Sequence, residues 1–157
     1  MSDKPEVELV TVEADPIAVR DVQTTIAELP AMIRESLDAV WKFVREAGDL
    51  DPRHSVVVYK GDPSAGPADI EIGVQVGRRF DGTSSTGVRS SELPAGRAAR
   101  ALHRGPYDQM RPTYQAIESW AKDTGHTLSG PSWEIYGDWH EDPAKLEVEI
   151  GFMVAPD

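Results

Sequence analysis

Apolar residues recur along this chain at two periods. Ile33, Leu37, Val40 and Val44 fall three or four positions apart, as do Met110, Tyr114, Ile117 and Ala121. That spacing is the stripe an amphipathic helix turns toward a core, so it predicts two helices. Gly48 and Gly125 follow the stripes where a left-handed C-terminal cap takes glycine. Pro112 has no N–H to donate, so the second regular helix should begin near it, with "GPYDQM" as an irregular lead-in. Elsewhere the period is that of strands. "VELVTV", "IAVRDVQTTI", "SVVVYK" and "DIEIGVQV" alternate or run apolar before residue 80, and "GVRSSEL", "GRAARALH", "WEIYG" and "LEVEIGFMV" do so after it.

The two series are copies of one pattern. Sliding the chain by 77 positions, the distance from Tyr59 to Tyr136, lays Arg20 on Arg97, Arg34 on Arg111, Gly48 on Gly125 and Ser55 on Ser132. It also lays the first helical stripe on the second and Phe43 on Trp120. One further residue of offset brings "DIEIGVQV" onto "EVEIGFMV". The expected organisation is one domain over 1–157, with a first pseudo-repeat at about 5–80, a linker at about 81–86 inside "RRFDGTSSTG", and a second pseudo-repeat at about 87–157. The expected fold class is α+β. Duplicated strand-helix-strand-strand units form one curved, mainly antiparallel sheet, with two main helices on one side and a ligand cleft between the repeats.

Each copy carries Glu-Ile-Gly inside a strand. Alternation sends Ile70, Ile72, Val74 and Val76 to one face and Glu71, Gly73 and Gln75 to the other; Val148, Ile150, Phe152 and Val154 likewise oppose Glu149, Gly151 and Met153. The aliphatic face must meet the helices, which leaves Glu71 and Glu149 on the face away from them. Glutamates on a wet sheet face are ordinary. Glycine within a strand is less so, since it gives up packing and marks a close approach by something else. Gly73 and Gly151 beside carboxylates therefore read as the open floor of a groove for a flat ligand. Trp133, Tyr136 and Trp139 flank one strand, with Tyr107 and Tyr114 in the segment leading into the second helix. If Tyr136 faces the groove, Glu134 faces it too, while Trp133 and Ile135 turn away. A carboxylate among aromatic rings attracts a lipophilic cation through charge and cation–π attraction. Tyr114 and Trp120, at helical spacing, read as core, and Trp139 in "GDWHEDP" as the cap of an edge.

Composition narrows the chemistry. In 157 residues, 27 acidic side chains against 16 basic ones leave a net charge of −11, which repels polyanions, so no nucleic-acid partner is expected. The chain contains no cysteine, which removes disulfides and thiol chemistry. His54, His103, His126 and His140 lack metal-ligand spacing, so no metal is expected; His103 is the one nearest the cleft-side strand. There is no Gly-x-Ser-x-Gly elbow and no glycine-rich phosphate loop. No apolar run is long enough to span a bilayer, and "MSDKPEVEL" does not read as an export signal. The expected location is the cytoplasm, without a membrane partner.

The segments "GPYDQMRPTYQAIESWAKDTG", "GPSWEIY" and "LEVEIGFMV" resemble the GyrI-like small-molecule-binding family, related to the effector-binding domains of AraC- and MerR-type regulators. The shared features are Gly105 and Tyr107 before the helix, Trp120 late in it, Tyr136 ending the next strand, and Glu149 with Ile150 in the last. The resemblance implies a cleft for hydrophobic, often cationic compounds, with the family's pocket glutamate carried onto Glu149 and its pocket tyrosine onto Tyr136. Glu71 joins them by internal symmetry, and Glu134, Tyr107, Trp133, Trp139, Gly151, Gly73 and His103 complete the expected ligand-binding set. The strands begin within a few residues of the start, which reads as a stand-alone module without a helix-turn-helix. Haem-binding relatives share the fold, but no axial ligand is evident and no cofactor is expected. Three functions stay open: a receptor for planar, lipophilic cations of the multidrug or xenobiotic kind, a hydrolase of cyclopropane-bearing toxins using Tyr136 as donor and Glu149 as base, and a protein-binding modulator of DNA gyrase.

Overall fold

A computed structural model describes residues 5–156, so the outermost residues of the expected 1–157 domain lie outside the described ones. The elements run β1 (Val7–Val12), β2 (Pro16–Thr24), α1 (Leu29–Ala47), β3 (Ser55–Tyr59), β4 (Ala68–Gln75), β5 (Val88–Glu92), β6 (Gly96–Arg104), α2 (Arg111–Thr124), β7 (Leu128–Tyr136) and β8 (Glu147–Val154). The fold is α+β and every strand pairing within the two units below is antiparallel.

The chain divides into two compact units, and they are not the two sequence repeats. One unit spans Glu13–Pro94, while β1 groups with everything from Ala95 onward. The cause is strand pairing: β1 lies along β6, and β5 lies along β2. The first strand of each repeat thus completes the sheet begun by the second strand of the other. In the first unit the strand order is β3, β4, β2, β5, and in the second it is β1, β6, β8, β7.

Each unit packs one helix on one face of its sheet. Val40 and Val44 of α1 meet Ala18, Val74, Val76 and Val88, with Trp41, Phe43 and Phe80 closing the edges. Ile117 of α2 meets Ala99, Ala101, Val148, Ile150 and Val154, with Met110, Tyr114, Trp120, Tyr136 and Phe152 around them. The aliphatic faces of β4 and β8 are therefore the helix faces. Both helices end in a left-handed glycine, Gly48 at φ 77° and Gly125 at φ 75°, whose N–H groups bond Val44 and Ala121. A 3-10 turn, Tyr107–Gln109, precedes α2, as the irregular lead-in implied.

One strand is longer than its sequence pattern. β7 begins at Leu128, not at Trp133, because the register shifts between Ser129 and Ser132 and lets the cis Gly130–Pro131 pair sit in an irregularity of the ladder. A bulge is where a strand tolerates proline.

Candidate functional site: a carboxylate held by tyrosines

Register decides which groups share a face. In the second unit Glu134 lies opposite Ile150 and Tyr136 opposite Val148, whereas Trp133 lies opposite Gly151 and Ile135 opposite Glu149. Residues opposite one another in a ladder point to the same side. Ile150 and Val148 pack under α2. Glu134 and Tyr136 therefore face the helix, and Glu149 and Trp133 face away from it. The expected partnership of Glu149 with Tyr136 is not formed, because an odd number of strand positions separates their registers and the sheet stands between them.

Glu134 is the carboxylate that Tyr136 meets. Only 3% of it is exposed. Tyr136 donates its hydroxyl to Oε1 at 2.7 Å, and Tyr114, reaching down from α2, donates to Oε2. Tyr107 stands edge-on to Tyr136 with ring centroids 5.3 Å apart, and Phe152 meets Tyr114 in the same manner at 5.9 Å. Burial pushes the Tyr107 phenol above its ordinary value. The buried acid thus accepts from two tyrosine hydroxyls, and each of those tyrosine rings meets a further aromatic ring edge-on.

Tyr114 was legible as a helical stripe residue but not as a partner of Glu134. The signal is its repeat counterpart, Leu37: a tyrosine where the other copy carries leucine brings a hydroxyl into the core, and a buried hydroxyl needs an acceptor. The counterpart of Glu134 is Val57, fully buried opposite Ile72. Only the second unit carries the acid.

On the other face, Trp133 covers Gly151. A Cβ built on Gly151 would lie 2.1 Å from Cζ2 and 2.3 Å from Cε2 of the indole. Trp133 is itself 3% exposed and donates Nε1–H to Glu149 at 3.2 Å, while Arg100 stands 3.9 Å from the other carboxylate oxygen. The open floor expected over Gly151 is occupied by this side chain. Gly73 likewise faces the protein's own backbone, a Cβ there falling 1.7 Å from the Ala18 carbonyl oxygen. Both glycines mark a close approach, and in both the approaching group is internal.

Glu71, the symmetry mate of Glu149, is 4% exposed and saturated with donors. Lys60 reaches it at 2.8 Å, Arg89 at 3.0 Å and Ser91 at 2.7 Å. Arg89 also grips Asp21 through two bonds of 2.6 and 2.8 Å. The Arg89 hydrogen bonds hold Asp21 below its ordinary value, and Asp21 in turn raises Arg89. Glu71 thus belongs to an ion network on the face of its sheet away from α1.

His103 is buried on the helix face, opposite Val148. Its Nε2 faces the carbonyls of Gly105 at 3.2 Å and Pro106 at 2.9 Å, and Nδ1 faces the Thr113 hydroxyl at 3.4 Å. Trp139 is 73% exposed, in the loop after β7. Among the described residues no group of three or more His, Asp or Glu side chains is placed to hold a metal, and no helix is long and apolar enough to cross a membrane.

Known proteins fit this frame. The C-terminal domain of EcmrR superimposes with a TM-score of 0.78 at 20% identity, covering 98% of this chain and 99% of that domain. In the EcmrR–DNA complex the chain spans 59% of the EcmrR polypeptide. A structure described as a hydrolase from Listeria innocua matches with a TM-score of 0.67 at 13% identity, over 98% of this chain and 94% of that one. SAV2435, solved with tetraphenylphosphonium, matches with a TM-score of 0.60 at 12% identity, over 96% and 94%. At these identities the likeness is one of fold. No curated protein sequence matches. A family model does, across residues 5–155, and the chain belongs to the family it describes, the GyrI-like small molecule binding domains.

Proposed function

We propose that this protein is a receptor for lipophilic, planar or propeller-shaped cations, and that Glu134 is the carboxylate that selects them. The observation that carries the reading is the setting of Glu134: buried, with both oxygens bonded by tyrosine hydroxyls whose rings meet Tyr107 and Phe152. A cation entering such a site exchanges water for aromatic faces and a fixed negative charge, and gains from both in a poorly solvated setting. The fold shared with SAV2435, which was solved with tetraphenylphosphonium, supports the same ligand class. Glu149 is reassigned from the centre of the site to a brace for Trp133.

Titration with tetraphenylphosphonium tests this. Glu134→Gln keeps the shape and removes the charge, and loss of a desolvated partner costs on the order of 2–3 kcal/mol, so affinity should fall roughly 30- to 150-fold. Glu149→Gln, on the opposite face, should bind as wild type does. Equal affinities for wild type and Glu134→Gln would sink the proposal.

A second reading has one observation of its own: Tyr136 and Glu134 place a hydroxyl donor and a carboxylate 2.7 Å apart on one face, and the fold is also that of the Listeria innocua hydrolase. On a carbonyl-conjugated cyclopropane, the tyrosine would turn its hydroxyl from Glu134 to the carbonyl oxygen, freeing the glutamate to take a proton from water. Water oxygen then bonds the ring carbon to give an alcohol there, the broken C–C pair moves into an enolate whose oxygen Tyr136 hydrogen-bonds, and the proton taken up by Glu134 passes to the enolate carbon, restoring the carbonyl. Labelled oxygen appearing in the opened product, and lost in Glu134→Gln, supports the enzyme; binding without product leaves the receptor.

A further inference from the structure

The proposed cation site has a wall, Tyr107, that stands outside the strands and α2, at the start of a 3-10 turn. We propose that His103 is the positioning residue that fixes it. Tyr107 lies in the turn between β6 and α2 and is 37% exposed. That turn is tied down at two points. The Gly105 N–H bonds the Leu146 carbonyl at 2.8 Å, and His103, buried beneath, gathers the carbonyls of Gly105 and Pro106 on Nε2. Carbonyl oxygens only accept, so Nε2 carries a proton, and Nδ1 is left to accept from Thr113 at the start of α2. One imidazole therefore joins the strand end, the two residues before Tyr107, and the first turn of the helix. The result is the edge-on stance of Tyr107 against Tyr136, whose hydroxyl holds Glu134.

The other unit shows that folding alone does not ask for this histidine. His103 sits opposite Val148, and the equivalent position opposite Ile70 is Val22. At the 77-residue offset the counterpart of Thr113 is Ser36, whose buried hydroxyl has no hydrogen-bond partner among the described residues. In that unit the connection from β2 to α1 is Thr25–Glu28, without an aromatic residue to place. The same strand and helix pack without the imidazole where no ring has to be presented. Histidine appears where one does.

The inference rests on the cation-site reading only for its effect on binding, and the test separates the two. In ligand-free protein, nuclear Overhauser contacts between the Tyr107 and Tyr136 rings should be present in wild type and in His103→Gln, whose amide can donate to the same carbonyls. They should be lost in His103→Val, which installs the residue the other unit carries. Should His103→Val fail to fold, His103→Asn takes its place, its amide being too short to reach both carbonyls. Tetraphenylphosphonium affinity should then fall about tenfold in the His103→Val protein, the size of one lost aromatic contact to a cation. In a Tyr107→Leu background the same change should cost less than about twofold, because the two residues act through one another. Ring contacts that survive in a folded His103→Val protein would overturn the proposal, as would equal losses in both backgrounds. Failure of wild type to bind the cation would remove the receptor reading while leaving the ring contacts to decide the role of His103.

Discussion

Gly151→Ala separates two meanings of a glycine in a strand. If Gly151 were the open floor of a groove, alanine would be welcome, since a strand gains about 0.5–1 kcal/mol when glycine is replaced. The structure implies the opposite. A methyl carbon there would lie 2.1, 2.3 and 2.7 Å from three atoms of the Trp133 indole, against an ordinary contact near 3.5–4 Å. The ring must retreat by more than about 1 Å, and it is a rigid group packed in the interior. Overpacking of this kind costs about 1–3 kcal/mol. Moving the ring also breaks its 3.2 Å bond to Glu149, worth about 1.5 kcal/mol at the lower end for a charged acceptor, since Glu149 is partly exposed and regains water. Set against the strand preference, the net loss is about 2–3 kcal/mol, or a melting temperature lower by about 5–10 °C for a chain of this size. Urea unfolding followed by far-ultraviolet circular dichroism measures it, with tryptophan emission reporting the displaced indole. The same substitution in a Trp133→Ala background should be neutral or stabilising, because the obstacle is gone. A Gly151→Ala protein as stable as wild type would refute the packing argument and restore the open groove.

Gly73→Ala should be worse than Gly151→Ala, because the obstacle is the Ala18 carbonyl rather than a side chain; soluble yield and the urea midpoint would show it, and a milder effect than at Gly151 would contradict the geometry. Ser36→Ala should stabilise the protein by about 1 kcal/mol, since it removes a buried hydroxyl without a partner and improves helix propensity; thermal unfolding checks the sign. Asp21 is held below its ordinary value of 3.8 by Arg89, so its contribution is present above that value and lost as pH falls through the lower folded one. The stability gap between wild type and Asp21→Asn should therefore be constant near neutrality and close at more acidic pH, as urea midpoints across that range would show.

The helices, most of the strands and the face each strand turns to its helix were legible in the sequence, because they depend on local period. Val40, Val44 and Ile117 are buried as their spacing requires, and Gly48 and Gly125 cap the helices. The local pattern shows β7 only from Trp133, because Gly130 and Pro131 resemble a turn, and only pairing with β8 makes that signal an irregularity within a strand.

The residue types of the candidate site were legible too: a carboxylate and several tyrosines in the second copy, none of them repeated as such in the first except Tyr136 as Tyr59. Alternation along one strand even tied Glu134 to Tyr136. What alternation cannot say is how neighbouring strands are registered, or which large side chain fills the gap a glycine leaves. Tertiary structure decided both: it set Tyr136 opposite Val148 rather than Glu149, and it laid Trp133 over Gly151. It also chose which of two equivalent glutamates would be saturated, because Lys60, Arg89 and Ser91 converge on Glu71 from two other strands and their edges. Local period is a property of consecutive residues, whereas register and side-chain filling depend on groups tens of positions apart, and those meet only when the sheet has formed.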